Sequence, residues 1–492
     1  MKFLISFLWF LVANKLLLFW VWLWQLKQYH IPRFRAHFET FGLQKFISSF
    51  YRIRFPKFTK KVKVILITSI FFELLFLILV YPLPSFLFYV FLFGFLVLSP
   101  LIFSLIVLFF QIITWFFKKI IFKKAKVKRE TFKNLLVIAI SGSYGKSSTK
   151  EFLATILSEK FNVLKTEKNI NSDVGVAQTI LNKLNKDHQI FVAEVGAYER
   201  GEIKRSCSFL KPKIGILTGI NEQHMSLFGS LKDTIEIKYE LVQSLPKDGL
   251  AIFNGENKFC QSLYEKTRNL KKLLVKVNYQ KGKEQPPWIF AEDIRVGKDF
   301  LELRVVNGNE KSQLLKLNLI GRQNIENLLL AIACARKLGM TFEEISRGCK
   351  KIKAQHNGPV FLKRENPVII DSSYSANPNG VFADLEHLKL FEGKKVVVMP
   401  SLIELGSSSK EIHRKIGNKI AEICDFAIIV TKDRFKEIKE GAESKGMKKE
   451  NIIYESNPKK IKERLKDFSG KEDVILLEGR VPSSLLYLLK TF

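Results

Sequence analysis

Cysteine is scarce in this chain and has no metal-binding pattern. The five residues, Cys207, Cys260, Cys334, Cys349 and Cys424, form no C-x-x-C pair. Neither a zinc ribbon nor a disulfide framework is supported, which leaves buried or incidental thiols in a reducing compartment. Acidic residues are also short, 47 Asp+Glu against 79 Lys+Arg, giving a formal charge of +32 over 492 residues. There is no internal repeat and no long low-complexity linker, and 43 Phe are too many for a disordered chain. The length implies two or three domains.

A large positive charge raises the question of nucleic acid, which the distribution of the basic residues answers. Ten Lys/Arg and one acid lie between Lys27 and Lys63, and eight Lys/Arg and one acid between Lys118 and Lys133. Both clusters flank apolar runs, the positive-inside pattern of a membrane protein, so no nucleic-acid partner is expected.

Residues 1–134 form the expected membrane region. Val64 to Val80 is broken only by Thr68, Ser69 and Glu73, and reads as one span. Tyr81-Pro-Leu-Pro-Ser85 supplies a turn, after which Phe86 to Phe117 carries no charge. At about 1.5 Å per residue this second helix exceeds the roughly 30 Å bilayer core, so Pro100 kinks it or one end lies in the interface. The basic flanks place the turn outside and everything after Lys118 in the cytoplasm. Phe3 to Trp24 is a third candidate, although Asn14 and Lys15 interrupt it, and an interfacial helix is the alternative. No cleaved signal peptide is expected.

From Leu135 onward, short apolar runs alternate with amphipathic helical patterns, the signature of parallel α/β domains. Runs at Leu135–Ile140, Ile190–Val195, Ile214–Leu217 and Ala251–Phe253 form one series. A second includes Val368–Ile370, Val396–Met399, Phe426–Val430, Ile452–Tyr454 and Val474–Leu477. Ile289 to Leu319 reads as antiparallel strands, and helices are expected at Asn324–Leu338 and Thr341–Lys351. The boundary falls near residue 355, giving domains 135–355 and 356–492.

The strongest local signal is Ile140-Ser-Gly-Ser-Tyr-Gly-Lys-Ser-Ser-Thr149. Gly142 and Gly145 let backbone N–H groups point at phosphate oxygens, the following helix N-terminus adds positive potential, and Lys146 adds a point charge. Ser147 is placed to ligate Mg²⁺. The loop is G-x-x-G-K-S, shorter than the G-x-x-x-x-G-K-[ST] form. Glu194 ends a buried-strand run, where a carboxylate can hold Mg²⁺ near the phosphates. His224 ends the next strand as a second candidate ligand.

These segments resemble the Mur ligase family, within it the members that add D-alanyl-D-alanine to a UDP-linked muramoyl tripeptide. The resemblance runs from about 135 to 480. It is carried by Gly142–Glu151, Asn169-Ile-Asn-Ser-Asp-Val-Gly175, Glu194-Val-Gly196, Gly201-Glu-Ile203, Thr218–His224 with Phe228-Gly-Ser230, Gly321-Arg-Gln-Asn-Ile-Glu-Asn327 and Ile370–Pro378. It implies a P-loop central domain, a Rossmann-like C-terminal domain and an ATP- and Mg²⁺-dependent amide ligase of peptidoglycan precursor synthesis. Its partners would be a UDP- or lipid-linked muramoyl peptide and an amino acid or dipeptide.

The resemblance further implies that Gly142, Ser143, Gly145, Lys146, Ser147 and Ser148 cradle the nucleotide, with Asn327 at the adenine and Asp371 contacting the nucleotide from the C-terminal domain. Ser147, Glu194 and His224 would hold metal, joined by Lys238 when carbamylated. Lys146, Lys238 and His224 would be the catalytic group. Asn171, Tyr374 and Asn377 would meet the substrate, the last two in a loop with Pro378. The implied chemistry is attack of a carboxylate on the γ-phosphate, then displacement of phosphate from the acyl phosphate by an amine.

Three departures accompany the resemblance. A membrane region stands where the family carries its UDP-sugar-binding domain, which points to a lipid-linked acceptor. Gln355-His-Asn-Gly-Pro359 lacks an expected arginine, leaving Arg364 as a candidate replacement, and Ser372 and Ser375 replace the usual Asp and Asn. Pro400–Gly406 matches only partly. A poly-γ-glutamate synthase-like ligase and a non-catalytic nucleotide-binding membrane protein are the competing readings.

Overall fold

A computed structural model describes residues 1–38, 42–222, 225–280, 286–353, 358–374 and 377–490. By compactness the chain divides into Met1–Ile121 and Phe122–Phe492.

The first unit is helical: α1 (Lys2–Leu26), α2 (Ile31–Ala36), α3 (Gly42–Tyr51), α4 (Lys60–Val80) and most of α5 (Ser85–Glu130). Three of these, α1, α4 and α5, are long and apolar enough to cross a membrane. The helices exceed the expected spans at their basic ends because the lysines continue the helical backbone; α4 starts at Lys60, where Thr59 Oγ1 caps it by accepting from Val62 N. The helix of α5 runs through Pro100 without interruption.

The polar residues that interrupt α1 have partners. Asn14 Nδ2 donates to Glu73 Oε2 at 2.8 Å, and Lys15 donates to the Phe50 carbonyl. Trp9 and Trp24 donate to the Leu92 carbonyl and Ser104 Oγ, both at 2.9 Å. These four side chains thus meet polar partners, which lowers the cost of burying them.

The second unit contains two six-stranded sheets. In the first, β1 (Leu136–Ser141), β2 (Val163–Lys165), β3 (Ile190–Glu194), β4 (Ile214–Leu217), β5 (Leu250–Asn254) and β6 (Lys271–Val275) run parallel in the order β2-β3-β1-β4-β5-β6. The central strands are buried along their length, as a sheet covered on both faces requires. Its covering helices include α6 (Lys146–Leu157), α7 (Asp173–Lys183) and α8 (Glu202–Leu210).

A small antiparallel sheet follows, β7 (Phe290–Val296), β8 (Leu301–Asn307), β9 (Glu310–Lys311) and β10 (Leu315–Leu317). Helices Gln323–Lys337 and Phe342–Lys350 succeed it, the second opened by a Thr341/Glu344 capping box.

The last sheet contains β11 (Val360–Lys363), β12 (Val368–Ser372), β13 (Lys395–Met399), β14 (Phe426–Ile429), β15 (Ile452–Tyr454) and β16 (Val474–Glu478). Its order is β11-β12-β16-β13-β14-β15, parallel except for β11. Both large sheets bury their strands between helices, so the second unit is α/β.

Candidate active site

Register sets the site. β1 and β3 are adjacent and parallel, with Ile140 opposite Glu194, so the loop after β1 and the carboxylate ending β3 emerge side by side. β4 flanks β1 on the other side, pairing Ser141 with Leu217, which delivers the Thr218–Asn221 turn to the same edge. Carboxyl ends of neighbouring parallel strands at a change of strand order are where α/β sheets bind ligands.

The loop after β1 leaves no room for side chains at its two glycines. A Cβ on Gly142 would lie 2.2 Å from Thr218 Oγ1, and one on Gly145, at φ 75°, would lie 2.3 Å from Asn327 Oδ1. Ser143 N donates to the Gly219 carbonyl at 2.6 Å, and the Thr218 hydroxyl donates to the Tyr144 carbonyl. The backbone is thereby held as an open cradle that leads into the N-terminus of α6. Lys146 Nζ folds back onto the Ser143 carbonyl at 3.0 Å, and desolvation lowers its pKa, opposed by Glu194.

Glu194 collects the polar partners. Ser147 Oγ donates to its Oε2 at 2.7 Å, and Asn171 Nδ2 donates to its Oε1 at 2.8 Å. Its backbone N–H donates to Thr166 Oγ1. Lys150 Nζ lies 3.7 Å from Oε2 and 3.2 Å from Glu151, and donates to the Lys168 carbonyl. Lys150 is fully buried and Glu194 is 1% exposed, so the charges act in a poorly screened setting.

Lys238, on helix Leu231–Gln243, is 2% exposed and lies 5.7 Å from the Phe228 ring centroid. Burial pushes its pKa down to about 7; Lys146 pulls the same way, while Glu202, Glu240 and Glu194 oppose. Glu202 is itself pushed up to about 7 by burial. Glu240 is committed elsewhere, accepting from the N–H groups of Gly201 and Lys204 at the start of α8.

A cavity of about 370 Å³ faces the cradle. Ser143, Gly145, Lys146, Ser147, Ser148 and Asn327 line it from the first sheet and its helices, and Ser372, Tyr374 and Asn377 from the last. Asn327 Oδ1 accepts from Thr149 Oγ1 at 3.3 Å. Asp371 does not line this cavity; its Oδ1 accepts from Ser373 N at 2.9 Å. Arg364 does not line it either, being paired with Asp299 at 3.0 Å. His224, the replaced position Ser375 and the segment Gln355–Asn357 lie outside the described residues.

Several residues at the cavity have no role in the sequence reading. Arg322, Gln323 and Glu326 line it, as do Asn278, Asn379 and Asp384. Asn221 Nδ2 donates to Asn379 Oδ1 at 2.7 Å and Gln323 Nε2 to Asp384 Oδ1 at 2.8 Å, joining the two wall halves. Asn221, Gln323 and Glu326 sit inside motifs quoted above, so their motif membership was the available signal. Asn379 and Asp384 follow the last motif and had none.

Residues 140–335 match the Mur ligase middle domain, and residues 360–481 match the Mur ligase glutamate ligase domain. The chain belongs to the Mur ligase family. Among curated Mur ligases, it is 32% identical over 283 residues to the UDP-N-acetylmuramoyl-tripeptide–D-alanyl-D-alanine ligase of Escherichia coli, covering 57% of this chain and 61% of that one. The ligase of the same name from Bacillus subtilis is 25% identical, covering 70% and 72%. A MurF crystal structure from Acinetobacter baumannii superposes with a TM-score of 0.68 at 25% identity, covering 76% of this chain and 81% of that one. The chain spans about three fifths of the length of curated relatives it matches, the Escherichia coli ligase among them. The Mur ligase matches thus fall on both parallel sheets and on the loop, strand ends and helices that form the cradle.

Proposed function

We propose that the protein is a membrane-anchored, ATP- and Mg²⁺-dependent amide ligase that adds a D-alanyl-D-alanine-like dipeptide to a muramoyl-peptide precursor. Its proposed organisation is a membrane region over 1–134, a nucleotide domain over 135–355 and a C-terminal domain over 356–492, the last two in the cytoplasm. The observation that carries this reading is the convergence of the glycine cradle, Lys146 and the Ser147–Glu194–Asn171 chain beside one cavity.

The residues fit a Mg²⁺–nucleotide. A hydroxyl and an ionisable carboxyl are the hard oxygen ligands that Mg²⁺ takes, and the cradle is open where a Cβ would fill it. When bound, the cation offsets charge on the transferred phosphoryl group. The chain's own groups then divide the work. Lys146 and the α6 N-terminus hold phosphate oxygens, Ser147 and Glu194 hold the cation, and Asn171 fixes the carboxylate from its other oxygen.

Asn327 is assigned to the adenine side, while Tyr374 and Asn377 cover the reacting groups and exclude water; Asp371, which does not line the cavity, is assigned to holding the Ser373 turn. Lys238 is suited to carbamylation because only a neutral amine adds CO₂ and burial favours that form. His224 completes the proposed metal set. In the reaction, an acceptor carboxylate oxygen bonds to the γ-phosphorus and ADP leaves. The donor amine then bonds to the acyl carbon, phosphate leaves, and the amine releases a proton.

The test is ADP release by the full-length protein in detergent, supplied with D-alanyl-D-alanine and either a UDP-linked or a lipid-linked muramoyl peptide. Turnover with either acceptor that disappears in Lys146→Ala supports the ligase; undiminished turnover in that variant refutes it. A membrane region directly preceding the nucleotide domain favours the lipid-linked acceptor.

A further inference from the structure

We propose that residues 47–63 form a docking surface for an anionic phospholipid leaflet, one that the membrane helices hold at the depth of the headgroups. The inference rests on the membrane reading above and adds a partner of defined chemistry.

From Gly42 to Lys63 the chain carries seven Lys/Arg and no acid. Over Phe50-Tyr-Arg-Ile-Arg-Phe-Pro-Lys-Phe58, basic and large apolar side chains alternate, and both kinds are exposed. Ile53, Phe55 and Phe58 are 66%, 62% and 56% accessible, and Arg52, Arg54 and Lys57 are exposed beside them. A water-facing surface tolerates exposed lysines and arginines, but gains nothing from a contiguous row of exposed aromatic and aliphatic groups. Headgroup and upper acyl layers accept both, the rings and alkyl groups below and the cations among the phosphates.

The level of this strip is fixed by the three long helices. Gln25, in the last turn of α1, holds Lys57 through two hydrogen bonds, Gln25 Nε2 to the Lys57 carbonyl at 2.9 Å and Lys57 N to Gln25 Oε1 at 2.7 Å. Lys61, in the first turn of α4, donates to Gln111 of α5 at 2.9 Å and lies 3.8 Å from the Tyr29 ring centroid. The Arg54 guanidinium lies 5.4 Å from the Trp22 ring centroid. The strip is thus tied to one end of α1, to the start of α4 and to Gln111 of α5, about two helical turns before its basic stretch opens at Lys118. That is the end where the apolar windows stop and the positive flanks begin, which is headgroup depth.

Charge decides which leaflet chemistry fits. A zwitterionic headgroup layer offers no net attraction, whereas an anionic one favours each nearby Lys or Arg by about five-fold in occupancy. Arg52, Arg54 and Lys57 together then account for roughly a hundred-fold preference, reduced by salt.

The experiment uses full-length protein in nanodiscs of phosphatidylcholine, alone or mixed with phosphatidylglycerol. Because all five native cysteines are buried, Ile53→Cys, Phe58→Cys and, as a mid-helix control on α4, Phe72→Cys accept an environment-sensitive fluorophore selectively. The expected result is quenching of all three labels by brominated lipid, the first two by bromines near the headgroup. Phosphatidylglycerol should be enriched around the protein over bulk, and Arg52→Gln/Arg54→Gln/Lys57→Gln should return that enrichment most of the way to bulk. Quenching at position 72 with water-like emission at 53 and 58, or unchanged enrichment in the triple variant, overturns the docking surface alone. Absence of quenching at position 72 overturns the membrane reading and the inference with it.

Discussion

Replacing Lys238 by methionine gives opposite expected effects on stability and on turnover, both calculable from the site. Burial moves its pKa from 10.5 to about 7. Each unit corresponds to about 1.4 kcal/mol, so the fold bears about 4–5 kcal/mol at neutral pH from this one side chain, the lower end because the group is half titrated there. The folded pKa lies below the unfolded one, so the unfolded chain binds more protons between about pH 7 and 10.5. Stability of the unmodified protein therefore rises with pH across that window.

Lys238→Met should be more stable than the parent near pH 7 by up to this amount, less what Glu202 and Glu240 lose with their neighbouring cation, and should lack the rise. Urea titration of the detergent-solubilised chain at several pH values, read by proteolysis of the second unit, measures both. The same shift makes about half of the Lys238 amines neutral at pH 7, against about 0.03% for an ordinary lysine. ¹³C-bicarbonate should therefore label Lys238 as a carbamate. Lys238→Ala should lose turnover at least about a hundred-fold and recover part of it with added acetate, a carboxylate standing in for the carbamate. Equal stability of Lys238→Met and a pH-flat parent would refute the desolvation argument, and an unlabelled parent would refute the carbamate.

Three further outcomes follow from neighbouring geometry. Lys150→Met leaves Glu194 buried without this cation, while Glu151 keeps Lys165, and should destabilise the second unit by about 3 kcal/mol; a loss under about 1 kcal/mol in chemical denaturation would contradict that role. Gly145→Ala must adopt φ near 75° and displace the Asn327 amide, so nucleotide KM should rise about ten-fold or more, with at least about 1–2 kcal/mol of backbone strain. Asp384 and Glu478 are buried together, and desolvation holds both carboxyls above the usual range. The fold keeps protons that the unfolded chain releases, so stability falls as pH rises above the ordinary carboxylate range. Glu478→Gln should lessen that fall, which denaturation midpoints at pH 5 and 8 would reveal.

The sequence by itself determined the elements whose residues carry their own signal. Uncharged stretches such as Phe86–Phe117 can only be buried or in lipid, and buried parallel strands such as β1, β3 and β16 appear as apolar runs because both faces are covered. Gly142 and Gly145 were legible as a tight strand-to-helix loop, because neighbouring atoms leave no room for a Cβ at either position.

Strands β2, β6 and β11 were not legible. They lie at sheet edges, half exposed, and Lys271-Lys272 or Lys363 break the apolar pattern that periodicity reads. Tertiary structure alone decided how the polar residues meet. Asn171 and Ser147 converge on Glu194 because β3 pairs with β1 in one register, and Lys238 loses its proton readily because helix packing removes water around it. The bonds from Gln323 to Asp384 and from Asn221 to Asn379 join residues more than sixty positions apart. Spacing along the chain encodes local backbone geometry, whereas such pairings depend on which surfaces pack, and that is set by the whole core at once.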